Sequence, residues 1–191
     1  GLGVAIPHDA APGRGGLNIA LKTKIAQGLN GVEEYMSLYP YSCLEQKISI
    51  AVSLKDENAW KKIMADLPSY LDSAGLAKYF PVMEYGSDTL TSYLLAIGNE
   101  AGYEIPSRLQ SRMIQGLKNF VEGRITRYSN LNRPDLTIRK LAAIEALSRY
   151  GEAQSKQLAS VAIDPNLWPT SAVLDWINIL SPVNEIGRAH V

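Results

Sequence analysis

Cysteine and histidine are nearly missing from this 191-residue chain, which holds one Cys and two His. A single Cys excludes an internal disulfide framework, and the three residues together are too few for an Fe–S cluster or a Cys/His zinc site. No cofactor motif stands out either. Gly13-Arg14-Gly15-Gly16 is not a phosphate-binding loop, because no Gly-Lys-Ser/Thr follows at the right distance. An excess of one charge is also lacking, with Lys+Arg at 19 and Asp+Glu at 19, so no global field recruits nucleic acid or an anionic membrane. Residues 107–150 carry nine Lys/Arg against three Asp/Glu, but without the interleaved aromatics of a nucleic-acid site they read as a solvated helical surface. No apolar run approaches the roughly 18 residues of a membrane span, and no charged-then-apolar leader opens the chain. A mature piece of an exported protein reads the same way, so composition leaves the compartment open. What remains is a chain with 46% hydrophobic residues, ordinary for a folded protein and too high for a disordered one.

The first 24 residues differ from the rest. Seven of the 15 Gly lie within the first 31 positions, and Pro7 and Pro12 break any helix there. Leu17, Ile19 and Leu21 alternate with polar neighbours at the period of a half-buried strand. A lone strand is not stable by itself, so residues 1–24 read as an extended arm, the edge of a neighbouring domain or an extension lying on helices.

From about residue 25 the period becomes helical. Trp60, Ile63, Met64, Leu67 and Leu71 mark one buried face, with Pro68 expected to bend or restart the helix. Leu90, Tyr93, Leu94, Ile97 and Ala101 mark another, with Asp88 as its expected N-cap. Pro106 suits a first helical position before Leu109, Met113, Leu117 and Phe120. A helix from about Asp135 to Tyr150 is apolar around most of its circumference, and Pro169 opens a last one carrying Val173, Leu174, Trp176, Ile177 and Leu180. About eight helices and one weak strand make the fold all-α. Asp88-Thr89-Leu90-Thr91 and Leu94-Leu95-Ala96-Ile97 are echoed 47 residues later by Asp135-Leu136-Thr137-Ile138 and Leu141-Ala142-Ala143-Ile144. Stacked helical hairpins, in a solenoid or closed toroid, and chance likeness of two amphipathic helices explain that echo equally well. Residues 185–191 continue no pattern and read as an appended tail.

Chemistry concentrates in Tyr39-Pro40-Tyr41-Ser42-Cys43-Leu44-Glu45-Gln46. Pro40 halts any preceding helix and the next apolar period begins just after Cys43, so the sulfur sits near a helix N-terminus. Unpaired amides and the helix dipole favour a thiolate there. Gln46, three residues on, lies one turn above on the same face, with its side-chain carbonyl in reach of the sulfur. Tyr39 and Tyr41 stand just upstream as a cover. A nucleophilic sulfur, an acyl donor in reach and an aromatic lid describe an internal Cys–Gln thioester.

This stretch resembles the thioester motif of the α2-macroglobulin/complement family in its bacterial form. The likeness extends more loosely through Gly86-Ser87-Asp88-Thr89-Leu90-Thr91-Ser92-Tyr93, similar to the family's Gly-x-x-x-Leu-Thr-Ala-Tyr helix. Ser42 stands where most members have Gly, and Asp72-Ser73-Ala74-Gly75 where many have Asp-Gly-Gly-Phe. The resemblance implies an α/α toroid of helical hairpins, here incomplete, at residues 25–184, with residues 1–24 as the edge of a CUB-like β domain. It implies a protease inhibitor rather than an enzyme. After cleavage of a bait region elsewhere in the full-length protein, a Lys amine of the trapped protease displaces Cys43 from the Gln46 acyl group. Tyr39, Tyr41 and Glu45 belong to the motif. The family's bacterial members are periplasmic, often anchored by lipid to the inner membrane, and associated with peptidoglycan synthases, so these and the remaining domains of the protein are the expected partners.

Blander readings stand beside this one. A lone Cys is usually a small buried hydrophobe, the two tyrosines serve equally as packing aromatics, and Glu45 reads first as a solvated helix residue. His8, in the Gly/Pro arm beside Asp9, is an exposed loop residue rather than the partner of Cys43 in a protease dyad. No His lies between His8 and His190, so direct attack by amines is the expected route. The rival function is an α/α-toroid enzyme or binding scaffold without thioester chemistry, which would need paired carboxylates or an Asp-rich metal cluster.

Overall fold

A computed structural model describes residues 30–38, 42–125, 133–162, 166 and 168–188. The expected arm at residues 1–24, its strand, and Tyr39 and Tyr41 lie outside the described residues, as do His8 and His190. The helices in chain order are α1 (Asn30–Ser37), α2 (Leu44–Ser53), α3 (Glu57–Tyr70), α4 (Asp88–Ala101), α5 (Ser107–Val121), α6 (Arg133–Ser148), α7 (Ser155–Ala159) and α8 (Thr170–Arg188). Among the described residues, extended pairing is confined to two isolated antiparallel bridges, Leu71 with Ala77 and Ala77 with Ser87. The chain is all-α.

Alternate helices form one layer in which α2 packs on α4, α4 on α6, and α6 on α8. A second layer covers it, with α3 against α2, α5 against both α4 and α6, and α7 against α6. Two concentric layers of alternating helices make an arc of an α/α toroid. The 47-residue echo falls on this pattern, because α4 and α6 are neighbours in the same layer.

The periodic stripes become the seam between the layers. Leu109, Met113, Leu117 and Phe120 of α5 are all buried, as are Leu90, Leu94 and Leu95 of α4 and Leu141, Ile144 and Leu147 of α6. Each such side chain contributes roughly 1.5–3 kcal/mol on leaving water, so the seam rather than helix propensity holds the arc. A polar tie joins two neighbours within the first layer. Arg139 of α6 grips Asp88 of α4 through two hydrogen bonds, Nε to Oδ2 at 2.8 Å and a second from Nη2 to Oδ1. Asp88 is buried, and the pair holds the Arg139 guanidinium above its ordinary range, mainly through that hydrogen bonding.

Several helix ends differ from the sequence expectation. Ser87, not Asp88, caps α4, because its hydroxyl accepts the Leu90 amide at 3.2 Å while the Asp88 carboxylate is taken by Arg139. Pro106 is the N-cap of α5 rather than its first residue. Pro68 does not interrupt or restart α3, which runs on to Tyr70; so near the helix end, the missing N–H costs only one rung of the last turn. The expected span from Asp135 to Tyr150 is shifted to Arg133–Ser148, and the left-handed Gly151 (φ +70°) follows the helix. The helix α8 continues through Arg188, so residues 185–188 of the expected tail prolong it. Of the residues expected to define α8, Val173, Leu174, Ile177 and Leu180 are exposed; Ala172 and Ile179 are the buried ones.

Candidate functional site around Cys43 and Gln46

Cys43 is the N-cap of α2, in extended backbone (φ −67°, ψ 162°), with Leu44 as the first helical residue. The helix forms there because Leu44, Ile48 and Ala51 recur at helical spacing and are fully buried, which fixes the phase of every other residue in the first turn. Gln46 falls at the third helical position and folds back. Its side-chain carbonyl accepts the Cys43 backbone N–H at 3.1 Å, while the Cys43 side chain lies toward the Gln46 backbone N–H. This reciprocal arrangement is a capping box built from Cys and Gln. It brings a buried sulfur and a carboxamide together on one turn. Ser42 does not occupy left-handed backbone, so this position does not require Gly.

The first amide of the helix is held from outside. Leu44 donates its N–H to the Tyr79 carbonyl at 2.9 Å. Tyr79 belongs to the 71–87 loop, which the sequence did not mark as part of the site. Its phenol faces the Ser87 side chain, so this residue stands between the N-termini of α2 and α4. Burial pushes the Tyr79 phenol above its ordinary value, and Glu45, Cys43 and Asp88 add to that against the opposing pull of Ser87. At neutral pH it is therefore a neutral hydroxyl. Glu45 itself is exposed, in keeping with a solvated helix residue.

The loop owes its shape to Asp72. One carboxylate oxygen accepts the Leu76 amide at 2.9 Å and the other the Gly86 amide at 2.7 Å. Arg112 of α5 donates to the Asp72 main-chain carbonyl at 3.0 Å. Gly75 turns the chain at φ +86°, pressed so close that a Cβ would meet the Arg112 carbonyl at 2.3 Å. Thr91 of α4 accepts the Ala77 amide at 2.8 Å. The altered turn Asp72-Ser73-Ala74-Gly75 is thus a rigid strut under Tyr79. On the other side, Lys47 reaches Tyr70 of α3 at 3.1 Å and Ser49 pairs with Tyr93 of α4 at 2.8 Å, so α2 is fixed from both layers.

The loop is apolar beyond Tyr79, with Phe80, Val82, Met83 and Tyr85 all exposed. Elsewhere, an open cleft of about 650 Å³ lies between α3 and the 102–106 segment, floored by Trp60, Met64 and Tyr103. Among the described residues no group of three or more His, Cys, Asp or Glu is arranged to hold a metal ion, and no helix is long and apolar enough to cross a membrane.

No family model matches the chain, and no curated protein matches it. Among solved structures it is similar to native alpha-2-macroglobulin from Escherichia coli, in a crystal structure spanning domain MG7 to the C-terminus, with a TM-score of 0.59 at 17% sequence identity. The match covers 70% of this chain and 25% of that one, so the chain spans about a quarter of the solved structure it resembles. At that identity the likeness is one of fold, and it places this helical arc beside a helical part of an alpha-2-macroglobulin.

Proposed function

We propose that this chain is part of an α2-macroglobulin-like protease inhibitor and that Cys43 and Gln46 form its internal thioester. The observation that carries the reading is the Cys–Gln capping box, in which the Gln46 carbonyl lies 3.1 Å from the Cys43 nitrogen beside a buried sulfur. Closing the bond joins the Cys43 sulfur to the Gln46 acyl carbon with loss of ammonia. A Lys amine of a protease then attacks that carbon and the C–S electron pair returns to sulfur. The amine proton ends on the thiolate, and an isopeptide bond remains. Thiolate is a far better leaving group than an amide nitrogen, which is why Gln46 alone would be inert.

In this reading Tyr39 and Tyr41 shield the site, residues 1–24 continue into a CUB-like β domain, and the bait region lies in the rest of the protein. The compartment is the periplasm, with a lipid anchor on the full-length protein. The partners are proteases, the protein's remaining domains and a peptidoglycan synthase. A helical scaffold without thioester chemistry is the alternative.

Methylamine separates the two. With the thioester intact, methylamine releases one thiol and shifts the intact mass by one methylamine adduct. A chain whose mass and thiol content are unchanged by methylamine is the scaffold.

A further inference from the structure

The end of α5, the middle of α6 and α7 enclose an open cavity of about 450 Å³, lined by Val121, Glu122, Arg124, Lys140, Lys156, Gln157 and Ser160. Gln157 is 3% exposed. Its Oε1 accepts the Gln154 amide at 2.9 Å, and this settles which way the carboxamide points, because a flipped NH₂ could not accept that hydrogen. The group left over is Nε2, a buried donor with no hydrogen-bond partner, alone in this among buried side-chain polar atoms of the described residues. Buried polar groups are nearly always satisfied, and one that is not calls for an explanation. Gln157 is one of the residues that line the cavity, and the cavity is charged. Arg124, Lys140 and Lys156 set three cations there against one carboxylate, Glu122, which is paired with Arg124 at 2.8 Å. Lys140 and Lys156 have no ion pair among the described residues, whereas Lys118 and Arg139 on the same elements are both committed to carboxylates. The surplus of two positive charges stands in a chain whose net charge is zero.

The geometry points to an oxyanion site: the Gln157 Nε2 donor, with Lys140, Lys156 and Arg124, binds a phosphate group, as inorganic phosphate or as a phosphate monoester. The charge matches, since a monoester carries about −1.5 to −2 at neutral pH. The donors match too, with the Gln157 NH₂ held by its cap beside the cavity and flexible ammonium groups lining it. The Ser160 hydroxyl is not counted, because it donates to the Gln157 carbonyl at 2.6 Å. This site is independent of the thioester reading.

The test is a titration of the ¹⁵N-labelled chain with inorganic phosphate at constant ionic strength, following the Gln157 side-chain NH₂ and the Lys140 and Ser160 amides. We expect saturable shifts, with a dissociation constant raised at least tenfold by Lys140→Gln/Lys156→Gln. Gln157→Glu keeps an acceptor for the Gln154 amide, so the turn survives, but it places a carboxylate against the anion and is expected to remove the response. Glycerol 3-phosphate and phosphatidylcholine vesicles containing phosphatidic acid serve as parallel probes, distinguishing a soluble ester from a lipid headgroup. Shifts reproduced by chloride, or unchanged in Gln157→Glu, or absent with all three phosphate probes, would overturn the site.

Discussion

The Tyr79 carbonyl accepts the Leu44 amide at 2.9 Å, and this single hydrogen bond joins the residue after Cys43 to a loop more than thirty positions away. Local sequence places Cys43 on a helix end; the loop decides how firmly that end is held. The two halves of the site therefore have different sensitivities to substitution.

Gly75→Ala tests the strut. Its φ of +86° disfavours any Cβ, and the Arg112 carbonyl at 2.3 Å leaves no room for one. The expected loss is about 2 kcal/mol or more, since the backbone itself has to move. Urea denaturation of the two chains measures it. A midpoint equal to that of the parent would show that the loop relaxes freely and is no strut.

How much of this was legible beforehand depends on the range of the interaction. Leu109, Met113, Leu117 and Phe120 could be read because a helical stripe is a local pattern, and the Cys43–Gln46 pair because a spacing of three fixes a shared face. Tyr79 could not be read, since its role comes from a main-chain carbonyl and a contact between two helix N-termini. The Asp88 error has the same origin. Asp88 is a good cap by residue type, but Arg139, 51 positions on, claims its carboxylate and leaves the cap to Ser87. The shielding expected of Tyr39 and Tyr41 falls outside the described residues.

Cys43→Ala separates chemistry from folding. If the proposed thioester closes in the full-length protein, the substitution is expected to abolish covalent attachment to proteases while leaving bait cleavage intact. Because Cys43 is an N-cap, the cost in stability is larger than for a mid-helix position, about 0.5–1 kcal/mol, although Gln46 can still accept the backbone N–H of residue 43. Denaturing gels after protease incubation read the first effect and thermal melts the second. An adduct of equal intensity in wild type and variant would assign the linkage to another residue.

Asp175 makes the stability of the chain pH-dependent near its own titration. Burial, with Glu145 nearby, pushes its carboxyl up to about 6, against the opposing influence of Arg149. An acid whose folded-state value lies above its unfolded one binds more protons when folded. Its penalty on stability is therefore full above about pH 6 and is relieved as pH falls toward the ordinary carboxylate range. Asp175→Asn is expected to raise the melting temperature near pH 7.5, with the gain over wild type shrinking toward pH 4. A gain independent of pH would assign the effect to something other than ionisation.

The layer of alternate helices behaves like a row of dominoes. Helix α8 touches α6, α6 touches α4, and α1, α3 and α4 stand directly against the helix that Cys43 caps. Energy in such a row passes between neighbours, so local opening has a position as well as a size. Amides of α8 can exchange with solvent through partial openings that leave the first turn of α2 closed. Damage to α8 and damage to the Cys–Gln turn will consequently add rather than couple, and the turn will register a disturbance at the far helix only once α6 and α4 have given way.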